Sequence, residues 1–349
     1  MSPGSFLLRR RRWVAGLLAA LIGLIAQPRP EDLLAFADLG RKVLAGRLDE
    51  VYAGAFTQAG PLQLVLSRWL LIGGEAAMPA AVVRIVVDVA LTLGAMAACR
   101  GRPVRECVVA VLALLWLLGP TPWAGHPVEV AIPILWCCAM VLQRDGRWVV
   151  AATLLGASVL IAPIAVLGFP CLLAVAGPVR AARTALMAAG IALSGFLPFV
   201  VSGEFGMFGH VWPVNPGTLP YLLGLRAATW TARLMQAVVV SGGCALAAVL
   251  LRGRPVAVAA APLVAALLRL ATDPIMFDYY WLPASVGSVL LVALLPDDLR
   301  PAWQVSAVVL GYLTMLAATT DQGAIGAAAM LAGYLALAVS VRPRRATYV

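Results

Sequence analysis

From Trp148 to Val179 the chain carries no aspartate, glutamate, lysine, arginine or histidine, and arginines close both ends: Arg144 and Arg147 before it, Arg180 and Arg183 after it. No other feature restricts the fold so strongly. A single membrane span needs only ~20 apolar residues, so this stretch is long enough to do more than cross once. With basic residues on both flanks, it must cross a bilayer an even number of times or not at all. A hairpin of two short helices turning near Ala162-Pro163 is the simplest solution. Short, discontinuous helices are tolerated in lipid where their freed backbone groups are buried in protein or line a wet cavity.

The remaining sequence agrees with a bilayer as solvent. Hydrophobic residues make up 62% of the 349 positions and charged residues 12%, against about 25% charged in an ordinary soluble domain. Long apolar runs without strict alternation select helices over barrel strands. The expected fold is all-α, a polytopic membrane protein of about 12 transmembrane helices, within a range of about 10 to 13, forming one integral membrane domain over residues 1–349. Spans are expected near Trp13–Gln27, Pro79–Cys99, Cys107–Leu118, Val128–Gln143, Thr184–Val201, Ala237–Leu251, Val256–Ala271, Phe277–Leu295, Trp303–Thr319 and Ala324–Val341, together with the hairpin. The first reads as a retained signal anchor, because Ala26-Gln27-Pro28 is not a clean cleavage site.

The net charge of +10 does not point to nucleic acid. Arg9 to Arg12, Arg100, Arg102, Arg105, Arg144, Arg147, Arg180, Arg183, Arg252, Arg254, Arg300, Arg342, Arg344 and Arg345 fall in short loops expected on one side. This positive-inside pattern puts both termini in the cytoplasm of a multi-pass cell-membrane protein, with the arginines touching lipid headgroups. The six cysteines lie in or beside apolar segments, without metal-site spacing.

Two larger loops are expected on the outer face, about residues 28–78 and 202–221. The first is the longest polar interval and holds Asp32, Asp38, Asp49 and Glu50. Leu33, Phe36, Leu39, Val43 and Leu44 repeat at helical spacing while Asp38, Arg41, Lys42 and Arg47 take the opposite face, so Asp32–Gly46 reads as an interfacial helix. A second interfacial helix is expected from Pro61 to Ile72, interrupted by Arg68, with Gly73-Gly74-Glu75 leading on. Asp32, just past Pro28-Arg29-Pro30, has two readings. It caps the start of the helix, or it is a general base at the water–lipid boundary.

The run Asp32-Leu33-Leu34-Ala35-Phe36-Ala37-Asp38-Leu39-Gly40-Arg41-Lys42-Val43-Leu44-Ala45-Gly46, with Tyr52 and Gly60-Pro61-Leu62 downstream, resembles the first outer loop of GT-C superfamily glycosyltransferases. It is most similar to the polyprenyl-phosphate-mannose-dependent mannosyltransferases (glycosyltransferase family 87). Gly125-His126-Pro127-Val128-Glu129, Arg144-Asp145-Gly146-Arg147 and Leu154-Leu155-Gly156 follow in the same order, and Trp212-Pro213 to Gly217 and Asp273 to Pro283 extend the likeness more weakly. Three positions depart from the pattern: Phe36 stands for a tyrosine, Gly60 for a proline, and Ala162 for a lysine before the hairpin proline. The resemblance implies transfer of a sugar, mannose first, from a polyprenyl-phosphate donor to a glycolipid or glycan hydroxyl outside the cell, with Asp32 as base and Asp38 in reserve. The polyprenyl-phosphate sugar is then a co-substrate, no cofactor is required, and a divalent metal is neither demanded nor indicated.

Other polar residues are read beside that expectation. His126 and Glu129, three apart, share one helical face and suit sugar or acceptor contact; they also suit a simple cap. Arg84 and Asp88 are four apart and read as a structural ion pair. Arg269 has the same spacing from Asp273 but is followed by Asp278, Tyr279 and Tyr280, which favours a donor-phosphate role. Arg226 and Arg233, flanking Trp230, could hold a lipid phosphate, in a segment Leu222–Gln236 expected to re-enter as an amphipathic helix. His210 and Trp212 in the second loop, with Asp273 and Tyr279, complete the candidate sugar site. The alternative is a secondary transporter or lipid-carrier flippase, for which a twelve-span count is suited. Against that reading, the two halves show no repeat and the polar residues gather towards one face.

Overall fold

The computed structural model describes residues 3–26, 31–55, 57–72, 80–118, 126–320 and 323–341, without the side chains of 3–9, 31 and 278. Gly73-Gly74-Glu75, Gln27, Pro28-Arg29-Pro30, Gly125, Arg342, Arg344 and Arg345 lie outside this description, as does the Asp278 side chain. The structure is 79% helical. The helices are α1 (Pro3–Ile25), α2 (Glu31–Leu44), α3 (Pro61–Leu70), α4 (Ala81–Ala98), α5 (Pro103–Leu118), α6 (Ala131–Arg144), α7 (Trp148–Ile161), α8 (Pro178–Ser202), α9 (Leu219–Leu222), α10 (Trp230–Leu251), α11 (Ala257–Thr272), α12 (Leu282–Ala293), α13 (Pro301–Thr319) and α14 (Gly323–Ser340). Tight 3-10 turns occupy Pro127–Val130, Pro163–Ala174 and Asp278–Trp281. A two-residue antiparallel pair joins β1 (Trp212–Pro213) to β2 (Ala227–Ala228).

Among the described residues, six helical stretches are long and apolar enough to cross a membrane: 81–98, 127–144, 178–202, 230–251, 301–319 and 323–340. Four further apolar stretches, 148–161, 163–174, 257–272 and 279–293, are shorter. Helix α4 shows why lipid is the solvent. Its buried face is Arg84, Asp88, Thr92 and Met96, and Val82 and Val86 point outward. Water would reverse that arrangement, whereas lipid drives polar side chains inward. Arg84 Nε donates to Gly23 O at 2.9 Å, satisfying a carbonyl at the last turn of α1.

Helices α11 and α12 are mostly apolar, with Arg269 in the last turn of α11, and are largely buried, as central helices must be. Around them pack α5, α6, α10, α13 and α14. The uncharged stretch from Trp148 breaks at Ala162, whose extended backbone separates α7 from the 3-10 run at Pro163–Ala174. The 3-10 run lies against α10 and α11, inside the protein.

The amphipathic helix expected at Leu222–Gln236 does not form. Gly224 takes φ +91°, the chain reverses, β2 pairs with β1, and α10 then runs unbroken from Trp230 to Leu251. The helical spacing read across Arg226 and Arg233 spans the extended residues Ala227 and Ala228, and the segment from Leu222 also crosses the left-handed Gly224, which no continuous helix accommodates.

Candidate functional site

Helix α2 buries Leu33, Phe36 and Ala37 and exposes Asp38, as its periodicity requires. Gly40 continues the buried face: a Cβ there would sit 2.1 Å from the Leu64 carbonyl oxygen, so only glycine lets α2 lie this close on α3. The loop after α2 is pinned by Tyr52, whose hydroxyl donates to Ala59 O at 3.0 Å and whose ring lies among Phe196, Phe199 and Phe205. The Gly60 N–H donates to Ile161 O at 2.8 Å, tying the start of α3 to the end of α7. Helix α3 also packs on the 3-10 turn at Pro127–Val130. These contacts carry Asp32, at the start of α2, to His126.

Asp32 Oδ2 lies 3.1 Å from His126 Nε2, and His126 Nδ1 lies 2.6 Å from Glu129 Oε1. Both ring nitrogens therefore face carboxylate oxygens, which a doubly protonated imidazolium satisfies as donor on each side. Burial works against that charge, but Glu129 and Asp32 outweigh it and lift His126 to about 9. The bond from His126 in turn holds Asp32 below its ordinary carboxylate range, against partial burial, with help from the Tyr279 hydroxyl. The Tyr279 ring stacks on His126 at 4.3 Å, and Phe36 meets the other ring edge-on at 5.0 Å. Gln63 Nε2 stands 3.4 Å from His126 Nδ1.

A second charged group adjoins the first. Asp273, 1% exposed, lies between two arginines: Arg233 Nη1 is 3.0 Å from Oδ1, and Arg269 Nε is 3.6 Å from Oδ2. Arg269 also attracts Glu129. Both line a narrow apolar slot of about 70 Å³ whose walls include Trp136, Gly168, Pro262 and Ala265. Charges thus alternate from Arg233 through Asp273, Arg269, Glu129 and His126 to Asp32. The Nε–H of Arg269 faces Asp273 Oδ2 beyond hydrogen-bond distance, and neither atom makes a hydrogen bond, so the two are joined by charge alone. Asp32 is 27% exposed and Glu129 only 8%, so Asp32 is the carboxylate of its triad open to an incoming group.

The remaining candidates divide between this site and other places. Trp212 is buried beneath Arg233, 4.7 Å from the guanidinium carbon to the ring centre, and His210 packs edge-on against Trp212. Arg226 is not with them: it is exposed, stacked on Tyr221 and bonded to the Tyr221 carbonyl. Asp38 is exposed and paired with Arg41 at 2.5 Å, which lowers its carboxyl. Gln63 and Gln236, the latter bonded by Arg233 at 2.9 Å, were not singled out from sequence, and Phe36 was read as part of the helix's apolar face and not as a neighbour of His126. A glutamine inside the apolar run Pro61-Leu62-Gln63-Leu64 was the available signal for one of them. Among the described residues, no group of three His, Cys, Asp or Glu side chains is arranged to hold a metal ion.

No family model, curated protein or solved structure matches this chain. The functional reading therefore rests on the site's geometry and on the resemblance of its first half.

Proposed function

We propose that the chain is a multi-pass cell-membrane glycosyltransferase of GT-C type, with both termini cytoplasmic and the site outside. It moves a sugar, mannose first, from a polyprenyl phosphate to a hydroxyl of a glycolipid or glycan. The observation that carries this reading is a reachable carboxylate, Asp32, linked through His126 and Glu129 to a guanidinium, Arg269, that lines an apolar slot. A lipid-linked sugar phosphate has matching chemistry: an apolar chain, an anionic phosphate and a polar sugar.

In the reaction, the acceptor hydroxyl attacks the anomeric carbon while the bond from that carbon to the phosphate oxygen breaks. The electron pair leaves with the lipid phosphate, whose charge Arg269 neutralises. The hydroxyl proton passes to Asp32 as the new glycosidic bond forms, and the anomeric centre inverts. A carboxylate held below its usual range still accepts this proton, because an oxygen bonding to a cationic carbon becomes strongly acidic. His126 orients Asp32, and Glu129 draws on the other ring nitrogen so that the imidazolium does not bind Asp32 alone.

The test uses the full chain in lipid nanodiscs with polyprenyl-phosphate-linked mannose and a panel of glycolipid acceptors. Release of polyprenyl phosphate and appearance of a larger glycolipid support the reading. Movement of a solute or of the intact lipid across a vesicle membrane, with the sugar–phosphate bond unbroken, would replace it with the transporter or flippase.

A further inference from the structure

At the N-terminal end of α5, a groove of about 590 Å³ opens between α5, α12 and α13. Its walls are Val104 and Val108 from α5, Val292 from α12 with Leu295 just beyond it, and Val305, Val308 and Val309 from α13. Spacings of four on α5 and of three and four on α13 place these valines along single helix faces. Val104, Val305 and Val309 are exposed, so the groove is open along its length to the lipid side. Its mouth carries Arg102, Arg105 and Asp297.

The mouth is cationic. Asp297 pairs with Arg102 and, at 3.2 Å, with Arg105, while Arg105 also donates to the Leu295 carbonyl. Two guanidiniums thus share one carboxylate. The Arg102–Asp297 pair is half exposed on both partners, and such pairs yield readily to a competing anion. The surroundings add to the imbalance: Arg11 and Arg12 share the single carboxylate of Glu106 one turn along α5, at 2.7 Å each.

We propose that this groove binds an anionic phospholipid, one acyl chain lying along the valines and the headgroup phosphate resting on Arg102 and Arg105. An apolar channel ending in excess positive charge at a helix terminus fits that shape and charge; a zwitterionic lipid fills the groove but leaves the charge unmatched. The site lies apart from the residues around Asp32 and does not depend on the reaction proposed for them.

The experiment is native mass spectrometry of the purified full chain with phosphatidylglycerol or phosphatidylcholine of the same acyl chains. Wild-type protein is expected to retain phosphatidylglycerol about fivefold more tightly. Arg102→Gln, at an exposed position, removes most of that preference, and Val308→Trp lowers retention of both lipids by filling the groove. The chainless headgroup, glycerophosphoglycerol, does not compete. Equal retention of the two lipids by wild type, a preference unchanged in Arg102→Gln, or displacement by the chainless headgroup overturns the proposal.

Discussion

Asp32 and His126 are separated by 94 residues in the chain and meet at 3.1 Å. His126 is held from its other side by Glu129 at 2.6 Å, and the Tyr279 ring lies flat against it. Three separate segments build this contact, so disturbing any one of them is expected to be felt at Asp32.

The pH dependence of stability follows from this contact. His126 is raised to about 9, above its unfolded value of ~6.5. Its contribution is fully present below ~6.5 and is lost as pH rises through about 9. Asp32 is lowered, so its contribution is present above its unfolded value of ~3.9 and is lost as pH falls through its folded value. Melting temperature should therefore fall between pH ~7 and ~10, and His126→Gln should flatten that limb. Scanning fluorimetry across pH would show it; an alkaline limb unchanged in His126→Gln contradicts the ion-pair assignment.

Removing Arg269 leaves Asp273 buried with Arg233 as its remaining cation. Arg269→Met is expected to destabilise the fold by about 3 kcal/mol, and Asp273→Asn in the same chain should recover part of that loss. Denaturant titration in mild detergent gives the comparison. If the two changes simply add, the residues are not coupled.

Gly40 tests the seat of α2. Gly40→Val places methyl groups where the Leu64 carbonyl now lies, and overpacking of this kind costs about 1–3 kcal/mol. Hydrogen exchange should then rise in α2 before it rises in α11. Unchanged protection across α2 would show that the α2–α3 contact does not hold Asp32 in place.

The slot beside Arg269 should admit an apolar chain. Ala265→Trp, at its wall, is expected to raise the KM for a polyprenyl-phosphate donor by about tenfold or more while leaving a short-chain donor nearly unaffected. Equal effects on both donors would place the lipid elsewhere.

The membrane-helix class was legible because lipid enforces it at every position: charged residues are scarce, and the long apolar runs between arginines became helices, although α1, α8 and α10 begin six to ten residues before the expected bounds and, among the described residues, six helices rather than about twelve have the length and apolarity of a span. The break at Ala162-Pro163 was legible because proline does not continue a helix. The site was legible only in pieces. His126 and Glu129 were joined by local spacing, and Asp32 stood out by its motif. Their meeting depends on Gly40 and Gly60 allowing two backbones to approach, which no local pattern encodes. The segment around Arg226 was misread because an amphipathic helix was carried from Leu222 to Gln236 across the left-handed Gly224 and the extended Ala227–Ala228. Phe36 at the ring edge and Gln63 at Nδ1 were missed because each depends on a contact between distant segments.

The most direct measurement is the turnover of polyprenyl-phosphate-linked mannose by Asp32→Asn beside Asp38→Asn, in protein whose melting curves match wild type. Loss of the base is expected to lower kcat by about 100-fold or more, while Asp38→Asn, at the exposed Arg41 pair, stays within about twofold. Full activity in Asp32→Asn, or an equal loss in both variants, would contradict the assignment of Asp32 as the base.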